Sequence, residues 1–188
     1  MTVLVSVAPY TQIVQKVGGD LVQVHLLVPE GADFHNFEPS PEAIQKAFQA
    51  NIWFSIGEPF ENKVIAAGQK ADKTFQVYNL RDSCIDPSSK AYTDPHLWMS
   101  VRKMIPQARL IAEKLEQLLP EKKDVIAKRL KNTVDELETL DHTITRKLES
   151  KKGKYILVAH PAYTLFCNDY NLIQLSLEEE GKEPTVKE

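Results

Sequence analysis

Three of the five histidines sit in short motifs where strand-like segments give way to loops or helices. His35 lies in Gly31-Ala-Asp-Phe-His-Asn-Phe-Glu-Pro-Ser-Pro41, His96 in Asp94-Pro-His-Leu-Trp98, and His160 in Val158-Ala-His-Pro-Ala162. Neutral imidazole suits Zn(II) and several other first-row divalent metals, and three such ligands leave a fourth position for a carboxylate, water or substrate. The histidines are 61 and 64 residues apart. That is far longer than the spacing of zinc fingers or of a helical HExxH site, so only the fold can bring them together. Asp94 and Glu38 stand two and three residues from His96 and His35, placed to accept from the ring nitrogen a metal does not use. Taken singly, each loop histidine is more simply a turn cap, and only convergence makes a site.

The remaining candidates are weaker. His25 falls in the alternating segment Val22-Gln-Val-His-Leu26, and His142 falls beside Asp141 on the solvated face of a long helix. Glu178-Glu-Glu180, Lys182 and Glu183 form a charged run that reads as a solvated loop, with a role as ligand the alternative. Trp98 and Phe37 flank the histidine motifs and are expected to pack as an apolar wall, with a place in the core as the alternative for either. Cys84 and Cys167 are distant in sequence and read as two free thiols. No GxGxxG, P-loop, GxSxG, HExxH or CxxC pattern occurs, which removes the usual support for dinucleotide, nucleotide, serine-hydrolase, zincin and thioredoxin-like chemistry.

The elements that must position the histidines alternate. Val3 to Val7 reads as a buried strand, Tyr10 to Val17 as a helix stopped by Gly18-Gly19, and Leu21 to Val28 as a second strand. Pro41 to Gln49 is a helix capped by Ser40, Ile52 to Ile56 a third strand, Glu58 to Ala71 a helix, and Thr74 to Leu80 a fourth strand. Strands separated by helices imply an α/β fold with a mainly parallel sheet covered on both faces. Arg81 to Asp94 reads as structureless. Apolar residues then recur every three or four positions over Met104–Leu119 and Val125–Leu148, giving two helices punctuated at Pro120. The second, from Glu121 to Ser150, would be about 45 Å long and would bridge two lobes. A coiled-coil dimer is its competing explanation.

After Gly153 the β, α, β order restarts at Tyr155 to Ala159, Ala162 to Tyr170 and Leu172 to Leu177. The expected organisation is an N-terminal α/β lobe over 1–100, a helical segment with the long connecting helix over 101–150, and the start of a second α/β lobe over 151–188. The roughly 38 residues after the long helix are about the length below which a domain seldom stands alone, so the second lobe is expected to be truncated. Unfinished strands there could pair with another copy as a homodimer. The 188 residues carry 23 Lys+Arg and 26 Asp+Glu, a net charge of −3, which provides no field for phosphate backbones and excludes nucleic acid as the expected partner. The uncharged opening stretch is too short and too polar to span a bilayer, and no secretory signal is present in the chain as written.

Together the three histidine motifs resemble the cluster A-I metal-binding solute-binding proteins of zinc, manganese and iron ABC importers. Val3 to Ala8, Val17-Gly-Gly-Asp20 and the 31–41 motif look like that family's first lobe. Asp94-Pro-His-Leu-Trp98 looks like its second ligand loop. His160-Pro-Ala-Tyr163 with Cys167-Asn-Asp-Tyr-Asn-Leu172 looks like the third, and Glu180-Gly-Lys-Glu-Pro-Thr185 like the segment after the next strand. The resemblance covers essentially the whole chain.

It implies that His35, His96 and His160 are metal ligands in a cleft between two α/β lobes joined by a long spine helix, and that the protein is not an enzyme. The cargo would be a divalent transition metal, Zn2+ by preference with Mn2+ or Fe as alternatives, delivered to an ABC transporter membrane permease. The setting would be periplasmic or otherwise extracytoplasmic, with a lipid anchor as one form. The family's fourth ligand, an acidic residue late in the second lobe, has no counterpart here. The loop Arg81 to Asp94 also lacks the His-rich insertion of some zinc-specific members. Two other classes compete: a zinc metalloenzyme that activates water on a three-histidine site, and a surface adhesin or interaction module on the long helix with incidental histidines.

Overall fold

A computed structural model describes residues 1–71 and 76–178, apart from the side chains of residues 90 and 91. Four parallel strands, β1 (Thr2–Val5), β2 (Gln23–Leu26), β3 (Ile52–Ser55) and β4 (Val77–Asn79), form a sheet in the order β2-β1-β3-β4. Leu4 pairs with His25 on one side and Trp53 on the other, and Ser55 pairs with Asn79. The connections run through α1 (Pro9–Gly18), α2 (Pro41–Ala47) and α3 (Pro59–Lys70). Because the strands are parallel, the segments that leave them all emerge at one edge, where ligands bind in open α/β sheets.

The central strands are β-branched, aromatic and buried on both faces, as a parallel sheet requires. Val3, Val5, Ile52, Trp53 and Phe54 pack with Val14 and Val17 of α1 and with Ala108, Ile111 and Leu115 of α4 (Val101–Leu118). Helix α4 begins three residues before its apolar pattern suggests. Ser100 extends it by accepting from the Lys103 N–H at 3.0 Å. Helix α5 (Lys123–Leu148) covers 26 residues, about 39 Å. It is shorter than the expected Glu121–Ser150 because its ends tighten into 3-10 turns at Pro120–Lys122 and Glu149–Lys151.

Arg81 to Asp94 is not structureless. It carries 3-10 turns at Leu80–Ser83 and Lys90–Thr93 and buries Ile85 against Leu97 and Leu165, so one apolar side chain anchors an otherwise polar run. The second sheet has two parallel strands, β5 (Tyr155–Val158) and β6 (Ile173–Ser176), linked by α6 (Thr164–Tyr170). Unlike the first sheet, it is covered by the described residues on one face. Tyr155 and Leu157 are 64% and 69% exposed, in register with the exposed Ile173 and Leu175. The fourth strand starts at Val77; Thr74 and the segment from Glu180 onward lie outside the described residues. No described helix is long and apolar enough to cross a membrane. Cys84 and Cys167 are both free thiols, and burial pushes the Cys84 thiol up to about 11.

Candidate metal centre

Each histidine is delivered by a different carboxyl-terminal loop. His35 follows β2 in a turn that Asp33 closes: its Oδ1 accepts the His35 N–H at 2.9 Å and its Oδ2 accepts from Asn36 at 2.6 Å. His96 precedes α4 and is 6% exposed. His160 stands two residues beyond β5. The three Nε2 atoms converge at 3.3 Å (His35–His96), 3.3 Å (His35–His160) and 3.1 Å (His160–His96). Three nitrogens on a tetrahedral ion at zinc–nitrogen bond length would be about 3.3–3.4 Å apart, and at right angles about 2.9 Å. The observed triangle lies between these limits and nearer the first. His35, His96 and His160 together form a group able to hold a metal ion.

Behind each ring stands a carboxylate. Asp94 Oδ1 accepts from the His96 backbone N–H at 2.9 Å and lies 3.0 Å from its Nδ1. Glu178 Oε2 lies 2.9 Å from His160 Nδ1, and Glu58 Oε2 lies 3.6 Å from His35 Nδ1. A ring nitrogen within hydrogen-bond distance of a carboxylate is the protonated one, which leaves Nε2 of His96 and of His160 with its lone pair directed at the centre, while Glu58 faces His35 Nδ1 at ion-pair distance. Burial and the two neighbouring imidazoles hold His35 below the ordinary histidine range, favouring the neutral form a metal needs.

Glu58 is itself positioned. Glu61 is buried and accepts the N–H groups of Ile56 (2.8 Å), Gly57 (2.7 Å) and Glu58 (3.0 Å) as well as the Ser6 hydroxyl. This fixes the β3–α3 turn. Gly57 has φ +83°, and a Cβ there would meet Asn79 Nδ2 at 3.0 Å and the Arg81 guanidinium carbon at 3.2 Å. The buried Arg81 in turn stands 3.9 Å from Glu58 Oε1. Burial dominates at Glu58 and raises its carboxyl above the ordinary range despite Arg81.

The expectation for Asp94 matches its contact with His96. The expectation for Glu38 does not hold. Its carboxylate turns outward to Lys63 of α3 at 2.5 and 2.6 Å. Glu58 and Glu178 take up the role toward His35 and His160. Glu58 carries no local signal, and Glu178 sits in a run whose composition suggests a solvated loop. The apolar wall is Trp98 with Phe34: Phe34 lies 4.0 Å from the His35 ring, 5.6 Å from His96 and 5.5 Å from Trp98. Phe37 packs instead on Phe60 at 5.3 Å. His25 and His142 stay outside the cluster. Glu178→Gln, which keeps size and replaces the carboxylate acceptor, should weaken zinc binding by about ten- to a hundredfold in a chelator competition titration; wild-type affinity would remove Glu178 from this role.

Comparison with known proteins gives a consistent result. The family model "Zinc-uptake complex component A periplasmic" matches residues 3–188. A putative metal-binding protein of Chlamydia muridarum is 34% identical over 179 residues, 94% of this chain and 64% of its own length. The chain therefore spans a little under two thirds of such curated relatives. More distant streptococcal lipoproteins, 27–29% identical, are named for manganese (Streptococcus mitis) and iron (Streptococcus pyogenes) ABC transport. Among solved structures, a ZnuA crystal structure superposes with a TM-score of 0.90 at 31% identity, covering all of this chain and 74% of that one. A zinc-bound deletion mutant of ZnuA superposes with 0.86 at 32% identity and the same coverage. With the family model spanning residues 3–188 and the whole chain superposing on a ZnuA structure, the chain belongs to the ZnuA family of metal-binding solute-binding proteins.

Proposed function

We propose that the chain captures a divalent transition metal outside the cytoplasm, with His35, His96 and His160 as ligands and zinc as preferred cargo, for delivery to the membrane permease of an ABC importer. The observation that carries this is the Nε2 triangle of 3.1–3.3 Å, with every ring backed by a carboxylate on its far nitrogen. The folding units are the first lobe over 1–100, the helical segment over 101–150 and the beginning of the second lobe from 151. The relatives' names span zinc, manganese and iron, so the preference rests on the donor set. Among the described residues the cluster is three imidazoles and no carboxylate, a donor set that favours Zn(II) over Mn(II), the harder and weaker-binding ion.

The geometry gives less to the hydrolytic alternative. A zinc enzyme built on three histidines needs a general base beside the open metal position, and Glu58, Asp94 and Glu178 all face the opposite ring nitrogens. A competition titration between Zn(II) and Mn(II) at neutral pH tests the preference. Zinc is expected to bind at least about tenfold more tightly, and equal or tighter manganese binding would overturn it.

A further inference from the structure

Besides His160 at the metal centre, the second lobe meets the rest of the molecule at α6, and one face of that short helix carries a graded set of contacts. Leu165 packs in one buried cluster with Ile85 and Leu97. One turn on, Asp169 Oδ2 accepts from the Ser100 hydroxyl at 2.5 Å, and Ser100 at the same time caps α4. Next to it, the Tyr170 hydroxyl donates to Asp141 Oδ1 at 2.8 Å. Asp141 belongs to α5 and also accepts from Arg102 Nε of α4 at 3.0 Å, while the Arg102 guanidinium lies over the Tyr170 ring at 5.2 Å. Burial, then the bond to Asp141, keep the Tyr170 hydroxyl protonated far above ordinary phenol behaviour.

The other end of this arrangement is equally fixed. Further back along α5, Arg129 donates to the Gly18 carbonyl and to Asp20, both at 2.6 Å, and Lys16 of α1 pairs with Glu136 at 2.6 Å. The long helix is thus tied to the first lobe near Arg129 and Glu136 and to the second lobe at Asp141. His160 stands four residues before α6, on the loop between β5 and that helix. The loop that brings its Nε2 to those of His35 and His96 therefore runs directly into the helix that makes these contacts.

We propose that Asp141, through the Tyr170 hydroxyl, is a positioning residue that sets the second lobe against the first and thereby the grip of the three-histidine centre on its metal. It touches no ligand, and the inference rests on the metal-capture reading given above. Loss of the Tyr170 hydroxyl leaves the ring, the Leu165 contact and all three histidines in place. What it frees is the angle at which His160 is presented, so the metal should leave faster without any change in the donor set.

The test uses the full chain and zinc alone. Tyr170→Phe and Asp141→Asn are compared with wild type and with the core variant Ile111→Val for zinc release into excess chelator by stopped flow, and for unfolding of the metal-free protein by heat. Loss of one hydrogen bond to a charged group corresponds to about a tenfold change. Tyr170→Phe and Asp141→Asn should each release zinc about tenfold faster, the double variant no faster than Asp141→Asn alone, and Ile111→Val at the wild-type rate. Absorption of the cobalt-substituted Tyr170→Phe protein should broaden if His160 is less well placed. Release at the wild-type rate, or acceleration that the core variant reproduces through lost stability, would overturn the proposal. Failure of wild-type protein to bind zinc at all would instead remove the metal-capture reading on which it stands.

Discussion

Replacing His96 with alanine should lower zinc affinity by at least about a hundredfold, above the effect of losing an orienting partner. His96 is the buried member of the cluster, with its backbone N–H and its ring both held by Asp94 and its ring set against Phe34 and Trp98. A ligand fixed in this way reaches the metal with little left to order, so its contribution is close to the full bond. Its removal leaves two imidazoles, of which His35 is exposed, and a gap beside the Phe34 and Trp98 rings, which cannot donate a lone pair. His35→Ala should be costly but less so, since solvent can reach its position. The measurement is competition against a chromophoric chelator at neutral pH. Affinity within about tenfold of wild type for His96→Ala would mean that the metal sits elsewhere.

Acidification should release the metal steeply. Each Nε2 must be unprotonated to bind, an ordinary imidazole has a pKa of about 6.5, and up to three protons compete for one ion. Between about pH 7.5 and 5.5 the apparent affinity is expected to fall by about a hundredfold or more, with a slope above one proton per metal. His35 opposes the trend, since burial and its two neighbours hold it below the ordinary range and keep its nitrogen available further down. The same depression acts on the metal-free fold in a definite direction. The unfolded chain takes up the proton at about 6.5 and the folded one only at lower pH, so this residue's contribution to stability is present above about 6.5 and lost as pH falls. Zinc titrations at half-unit steps check the slope; a flat profile across this range would contradict a site made of imidazoles.

The parallel sheet and the loops bearing the three histidines are legible in the sequence because their signals are local. A β-branched run closed by Pro9, a Ser40-Pro41 helix start and a Gly18-Gly19 stop each specify an element without tertiary help. The orienting carboxylates are half legible. Asp94 is found because it acts on a histidine two residues away. Glu58 and Glu178 act across 23 and 18 residues respectively, through the sheet, and no spacing rule connects them to His35 and His160. Glu38 misleads for the complementary reason. Nearness along a loop says little about direction, and a lysine on α3 takes the charge. Asp141 looks from the sequence like part of a solvated helix face because its two partners come from α4 and α6, which only the closed fold brings alongside.

The most direct test of the account is the metal content of the purified protein, by elemental mass spectrometry, for wild type beside a His35→Ala, His96→Ala, His160→Ala triple variant after exposure to equimolar Zn(II), Mn(II) and Fe(II). The account predicts close to one zinc per wild-type chain and none retained by the variant. Equal metal in the two proteins, or none in either with both folded, would contradict it.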